Sequence, residues 1–263
     1  MKRLAFLPIL LVISLAFAAC NAKNTVISKQ QSSITISAAS SLKEFLDEAK
    51  KDFYKSNPEI TLTINFGASG TLKKQIEEGA NVDLFISADA KNVTDLKDKN
   101  LLEISSVKNI ASNALALVVN KKYSNKINNL SDLPQNASKI AIATPEKAPA
   151  GTYAKESLTN LQIFDKIKNK LVYGSDVKTT LTYIENGDVD AGIVFLSDTL
   201  TLKECIKKEV VPTTSHKPIL YSLGIVSSSK EKEACKKFSD FLCSKQGQTL
   251  IKKHGFIPIG EYK

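Results

Sequence analysis

The stretch Asn65-Phe66-Gly67-Ala68-Ser69-Gly70-Thr71-Leu72-Lys73-Lys74-Gln75-Ile76 constrains the fold most. Before it, Ile60-Thr61-Leu62-Thr63-Ile64 alternates in the manner of a strand. Leu72 and Ile76 stand one turn apart among Lys, Gln and Glu, which predicts an amphipathic helix. The turn between is made of small residues and hydroxyls, so a guest can approach the backbone closely. The first turn of a helix leaves N–H groups unpaired and carries partial positive charge. A strand, a small turn and a helix start together predict an anion site. Taken alone, the turn needs Ser69 only as a helix cap.

The pattern recurs. Ile34-Thr35-Ile36-Ser37-Ala38 predicts a strand, followed by Ser40-Ser41 and a helix with Leu42, Phe45, Leu46, Ala49 and Phe53 at helical spacing. Ser41 and Glu44 have the spacing of a capping box. Lys139 to Ala143 predicts a strand, and Pro149-Ala150-Gly151 then turns the chain into a helix. Leu171 to Tyr173 leads likewise to Asp176-Val177 and the helix of Leu181 and Ile184. Further strands are expected at Asp83–Ser87, Ala114–Val119, Ile193–Phe195 and Leu220–Val226, and a last helix carries Ala234, Phe238, Phe241 and Leu242. The apolar run at 114–119 suits a sheet covered on both faces. Alternating strands and helices predict an α/β fold with mostly parallel sheets. Ligands of such sheets sit beyond the carboxyl ends of the strands. The turns at Ser41 and Ser69 fall in the first half and those at Ala150 and Val177 in the second, which suggests two lobes sharing one ligand.

The chain begins as an exported one. Lys2 and Arg3 precede an apolar run from Leu4 to Phe17, and Ala18-Ala19-Cys20 follows. This predicts a signal peptide at 1–19. Cys20 stands where a bacterial lipobox carries its lipidated cysteine, and 20–33 reads as a polar tether. No later stretch is long and apolar enough to span a membrane. Basic residues outnumber acidic ones, 36 to 27, yet Arg3 is the one arginine and leaves with the leader. The mature chain therefore has no guanidinium fork for clamping an anion. Its lysines are scattered, as on a solvated surface rather than a nucleic-acid footprint. Cys205, Cys235 and Cys243 do not have zinc spacing and are expected as buried free thiols.

Read together, these motifs resemble the substrate-binding proteins of bacterial molybdate importers. The resemblance rests on Ala38-Ala39-Ser40-Ser41-Leu42, Phe66 to Leu72, Asp83 to Asp89, Pro145 with Pro149 to Glu156, Asp176-Val177, and Gly192-Ile193-Val194-Phe195 with Ser197-Asp198. They run in family order through nearly all of the mature chain. The resemblance implies a two-lobed periplasmic-binding-protein fold of type II, with 34–113 plus 223–263 as one lobe and 114–222 as the other. It implies a monomer that binds molybdate or tungstate as ligand, without a cofactor or bare metal ion, and delivers it to an ABC permease from a lipid-anchored position outside the cytoplasm. By resemblance, Ser41 and Ser69 donate through hydroxyl and backbone, and Ala150 and Val177 through backbone N–H. Phe195 takes the place of a family tyrosine, so a phenolic donor is missing. Its ring is expected at the rim of the cleft, with the lost donor either absent or replaced by water or a hydroxyl such as Ser40.

The chemistry points the same way. Molybdate at neutral pH carries no proton and asks only for donors. Phosphate keeps a proton and asks for an acceptor as well, yet no Asp or Glu stands at Ser41, Ser69 or Ala150. Asp176 is expected to cap the helix starting at Val177. Sulfate is the second reading, because a donor-only pocket serves it too. A hydrolase with Ser69 as nucleophile is the third. Thr71 replaces the second glycine of the nucleophile elbow, and only His216 and His254 could act as base. Their polar neighbours suit surface or loop positions.

Overall fold

The computed structural model describes residues 31–259. The signal segment, Cys20 and the tether up to Gln30 lie outside the described residues. Strand β1 (Ser32–Ala39) passes through a 3-10 turn at Ser40–Leu42 into α1 (Lys43–Ser56). β2 (Ile60–Gly67) leads to α2 (Ser69–Glu77), and β3 (Leu84–Ser87) to α3 (Ala90–Asp98). β4 (Lys108–Asn113) and β5 (Leu115–Asn120) are separated by Ala114 alone. There follow α4 (Leu133–Asn136), β6 (Ile140–Ala143), α5 (Pro149–Asn160), α6 (Phe164–Ile167), β7 (Leu171–Gly174), α7 (Val177–Asn186) and β8 (Ala191–Phe195). The chain closes with β9 (Cys205–Val210), β10 (Ile219–Ile225), α8 (Lys232–Cys243), α9 (Lys245–Lys253) and β11 (Ile257–Pro258).

The strands form two sheets, ordered β11-β4-β10-β3-β1-β2 and β7-β6-β8-β5-β9. β1 runs parallel to β2 and β3, and β6 parallel to β7 and β8. The strands β4, β10, β5, β9 and β11 join antiparallel. Both sheets are therefore mixed, not mostly parallel. β10 and β5, by which the chain crosses into each sheet from the other, run opposite to that sheet's strand–helix strands, whereas β4 and β9 run with them. β4 and β9 were not expected from the sequence, because Lys108-Asn109 and Lys207-Lys208-Glu209 lack a strand's apolar alternation. β10 begins at Ile219, so the first sheet takes up the chain four residues before position 223.

Apolar burial explains the layering. β5 is buried at every position, as its continuous apolar run requires. α1 buries Phe45, Leu46, Ala49 and Phe53, and α7 buries Val177, Thr180, Leu181 and Ile184. Phe53 meets Phe238 and Phe241 edge-on, at centroid distances of 5.1 and 5.6 Å, tying α1 to α8. A smaller cluster of Leu72, Ile76, Phe85, Val93 and Leu96 seats α2 and α3. Cys205 and Cys235 are buried free thiols, both pushed up to about 12 by burial. Cys243 is also free but exposed, contrary to expectation, because Phe238 and Leu242 take the inward face of α8.

Candidate functional site: an oxyanion pocket at the strand ends

Four helix starts meet at one small pocket. Ala39, Ser40 and Ser41 reach it from the end of β1, and Gly67, Ala68 and Ser69 from the end of β2. Ala88 follows β3, Ala148 to Ala150 open α5, Asp176 and Val177 open α7, and Phe195 ends β8. Ser41, Ser69, Ala150, Val177 and Phe195 are thus brought together from both sheets. A wider groove of about 620 Å³ lies at the other end of β2, over Asp47, Lys50, Tyr54 and Ile60. It is an open groove away from the strand ends that carry the helix starts.

The two serines are free of the capping work the sequence suggested. Ser69 is the first residue of α2, whose N-cap is Ala68 and has no side-chain cap. Its Oγ instead accepts from the Ala88 backbone N–H at 3.1 Å, and the residue is 1% exposed. With a lone pair so occupied, Ser69 keeps its hydrogen for a ligand. The capping box of Ser41 with Glu44 does not form either. The 3-10 turn delays α1 to Lys43, and Ser41 Oγ lies 3.0 Å from Tyr221 Oη. Glu44 turns to Lys178, 2.8 Å away.

The second pair of donors comes from the backbone. α5 starts at Pro149 with no side-chain cap. Pro149 has no N–H and Gly151 N–H bonds the Ala148 carbonyl at 2.9 Å, so Ala150 carries the first-turn N–H that the helix geometry leaves for a ligand. Gly151 lets this turn press on β6: a Cβ there would lie 2.0 Å from the Ala143 carbonyl oxygen. α7 begins at Val177 behind Asp176, whose Oδ1 accepts from Thr179 N–H at 2.8 Å. Asp176 is therefore a cap, as expected, with its carboxylate engaged by the helix. No lysine lines the pocket.

Gly70 brings the two sides into contact. Its N–H donates to the Lys147 carbonyl at 2.9 Å, linking α2 to the approach of α5. A Cβ on Gly70 would sit 2.6 Å from that same oxygen. A second link runs through Lys178, which pairs with Glu44 on α1 and with Asp198 at 3.0 Å.

Asp198 is 2% exposed, and burial raises its carboxyl to about 6, against the opposing pull of Lys178. A native value above the ordinary 3.8 means the folded chain holds this proton where the unfolded chain has lost it. Its contribution to stability is therefore greatest near pH 4 and falls as pH rises toward 6. Melting temperatures of the parent and Asp198→Asn across pH 4–7 check this. The parent's stability should fall relative to the variant's over that interval; parallel profiles would refute it.

Phe195 is 1% exposed and packs edge-on against Tyr221, with ring centroids 5.8 Å apart. It lines the pocket at the end of β8. If the donor position stands vacant, Phe195→Tyr should tighten binding of a tetrahedral dianion by at most about 1.5–3 kcal/mol, the worth of a hydrogen bond to a charged group. Titration calorimetry checks it, and equal or weaker binding would show that no donor position stands vacant. The sequence reading did not place Tyr221 and Asn113 at the site, where they lie behind Ser41 and beside Ser197. Asn113 Nδ2 donates to Tyr221 Oη at 3.2 Å and to Ser197 Oγ at 2.9 Å. Ser40, the hydroxyl expected as a replacement donor, lines the pocket, whereas the Tyr221 hydroxyl lies behind Ser41.

The histidines stand elsewhere. His254 Nε2 contacts Glu48 at 2.8 Å, and His216 Nδ1 contacts the Lys217 carbonyl at 2.8 Å. His216 is buried against Tyr153 rather than on the surface, because its ring fills the space beside that phenol. Neither histidine is hydrogen-bonded to Ser69.

Two mixed sheets with a donor-lined pocket at their strand ends define the architecture of a solute-binding protein. The family model for bacterial extracellular solute-binding proteins matches residues 34–257, and the chain belongs to that family. It is 38% identical over 243 residues to YvgL of Bacillus subtilis, provisionally named an ABC transporter substrate-binding lipoprotein, covering 92% of this chain and 93% of that one. The molybdate-binding protein ModA of Haemophilus influenzae is 33% identical over 227 residues, covering 85% and 89%. Among solved structures, the periplasmic molybdate-binding protein of Azotobacter vinelandii superposes with a TM-score of 0.77 at 25% identity, covering 85% of this chain and 98% of that one. No described helix is long and apolar enough to cross a membrane.

Proposed function

We propose that this protein binds molybdate or tungstate outside the cytoplasm and delivers it to an ABC permease. The observation that carries this reading is the donor set. Ser69 keeps its hydrogen free to donate while its Oγ accepts from Ala88 N–H, and α2 and α5 both start at the same pocket without side-chain caps. Asp176, the one carboxylate lining the pocket, is engaged by Thr179 N–H. Such a pocket suits an oxyanion with no proton, and neutral donors avoid the cost of burying a lysine. The names of the Haemophilus and Azotobacter relatives support molybdate, and that of the Bacillus relative supports an ABC transporter and a lipid anchor.

In this reading Ser41, Ser69, Ala150 and Val177 hold the anion and Phe195 closes the pocket without donating. Residues 34–113 with the chain from Ile219 onward act as one lobe and 114–218 as the other, four residues off the 222/223 boundary expected, joined through the ligand in the closed form. Cys20 carries the lipid, and the protein acts as a monomer without a cofactor. Sulfate remains the reading to beat, since it asks for the same donors. Calorimetric titration with molybdate, tungstate, sulfate and phosphate at matched ionic strength decides. Molybdate and tungstate should bind tightly and alike, sulfate more weakly, and phosphate least. Sulfate binding as tight as molybdate would overturn the assignment.

A further inference from the structure

We infer that Asn113 and Tyr221 form a one-way hydrogen-bond relay that fixes Ser41 as a donor and so helps exclude protonated oxyanions. The inference rests on the reading above, in which the Ser41 hydroxyl meets the anion. The direction of each bond follows from the groups at its ends. Asn113 Oδ1 faces two backbone N–H groups, Ala114 at 2.9 Å and Ser197 at 3.4 Å. Backbone N–H can only donate, so this end of the amide is the carbonyl and the other is the NH₂. Asn113 Nδ2 must then donate to Tyr221 Oη at 3.2 Å.

Tyr221 is fully buried, and its hydroxyl is bonded to Asn113 and Ser41 alone among the described residues. Having accepted from Asn113, it has one hydrogen to place and one acceptor in reach, Ser41 Oγ at 3.0 Å. The opposite direction would leave the buried phenolic hydrogen without an acceptor, at the cost of an unsatisfied polar group. Ser41 Oγ thus accepts from Tyr221 and turns its own hydrogen to the pocket that it lines. Ser69 reaches the same state through Ala88 N–H. Both hydroxyls are set as donors before the ligand arrives, each with one lone pair already engaged, so they offer hydrogens to the pocket and favour an oxyanion that needs donors only. The relay also spans the fold. Asn113 ends β4 and Tyr221 lies on β10 of the first sheet, whereas Ser197 follows β8 of the second. The Tyr221 ring is fixed edge-on by Phe195 and Phe256, at centroid distances of 5.8 and 5.2 Å.

Tyr221 and Asn113 are positioning residues in this scheme, so the test is a double-mutant cycle through Ser41. Tyr221→Phe keeps the ring and removes the hydroxyl. Titration calorimetry of the full-length protein should show molybdate binding about tenfold weaker in Tyr221→Phe. The same change should cost less than twofold in a Ser41→Ala background. The ratio of molybdate to phosphate affinity should also fall in Tyr221→Phe. Equal losses in both backgrounds would mean that Tyr221 acts only through packing and would overturn the relay. So would retention of affinity within twofold. Asn113→Asp supplies the second arm if the phenylalanine variant does not fold. A carboxylate oxygen in place of Nδ2 turns the Tyr221 hydrogen away from Ser41, and its added charge cancels in the cycle. It should lose more affinity with Ser41 present than with Ser41→Ala, and equal losses would again overturn the relay. An unchanged affinity in Ser41→Ala alone would remove the reading of Ser41 as a ligand donor, and the relay with it. A loss there with additive effects of Tyr221→Phe overturns the relay alone.

Discussion

Ser69→Ala should weaken molybdate binding by about 1.5–3 kcal/mol, roughly ten- to 150-fold, the worth of a hydrogen bond to a charged group. The serine is set as a donor toward the pocket, because Ala88 N–H already engages one lone pair of its Oγ. The same substitution strips Ala88 N–H of its acceptor where the residue is 2% exposed. The variant should therefore also unfold more easily, by roughly 1–3 kcal/mol. Calorimetry reads the first effect and chemical denaturation without ligand the second. Lower stability with full affinity would show that Ser69 only braces β3 and takes no part in binding.

Gly70→Ala should weaken binding by about 1–3 kcal/mol, roughly five- to 150-fold, the usual cost of overpacking. Its effect arises from closure, since Gly70 touches no ligand position in this account. A methyl group would stand 2.6 Å from the Lys147 carbonyl, an oxygen of the backbone that cannot swing aside as a side chain could. The Gly70 to Lys147 hydrogen bond at 2.9 Å would be lengthened or lost. A ligand favours the closed arrangement only by the contacts it gains there, so a wedge at this contact subtracts from affinity. The radius of gyration by solution scattering should shrink on adding molybdate to the parent and shrink less in the variant. Full affinity and full compaction in Gly70→Ala would show that this contact does not gate binding.

The strand-to-helix turns were readable because each is written locally. Gly67 to Thr71 and Pro149 to Gly151 combine small residues with a change of period from two to 3.6. The apolar run at β5 declared its two-sided burial in the same way. What escaped was settled by long-range contact. Ser41 and Glu44 have the spacing of a capping box, but Tyr221, 180 residues away, claims Ser41, and Lys178 claims Glu44. Asn113 and Tyr221 are 108 residues apart and meet only because β4 and β10 pair. β4 and β9 are polar strands held by their neighbours, so composition alone does not betray them. Phe195 stood out by family pattern, but its contact with Tyr221 needed the sheets to be assembled.

The central claim is the place of the anion, and anomalous scattering from molybdenum tests it most directly. Crystals grown with molybdate, measured at the molybdenum edge, should show one strong peak in the pocket between Ser41, Ser69, Ala150 and Val177. Its oxygens should lie about 2.7–3.2 Å from Ser41 Oγ, Ser69 Oγ, Ala150 N and Val177 N, the range of ordinary hydrogen bonds. A peak elsewhere, or none in that pocket at saturating molybdate, would contradict the account.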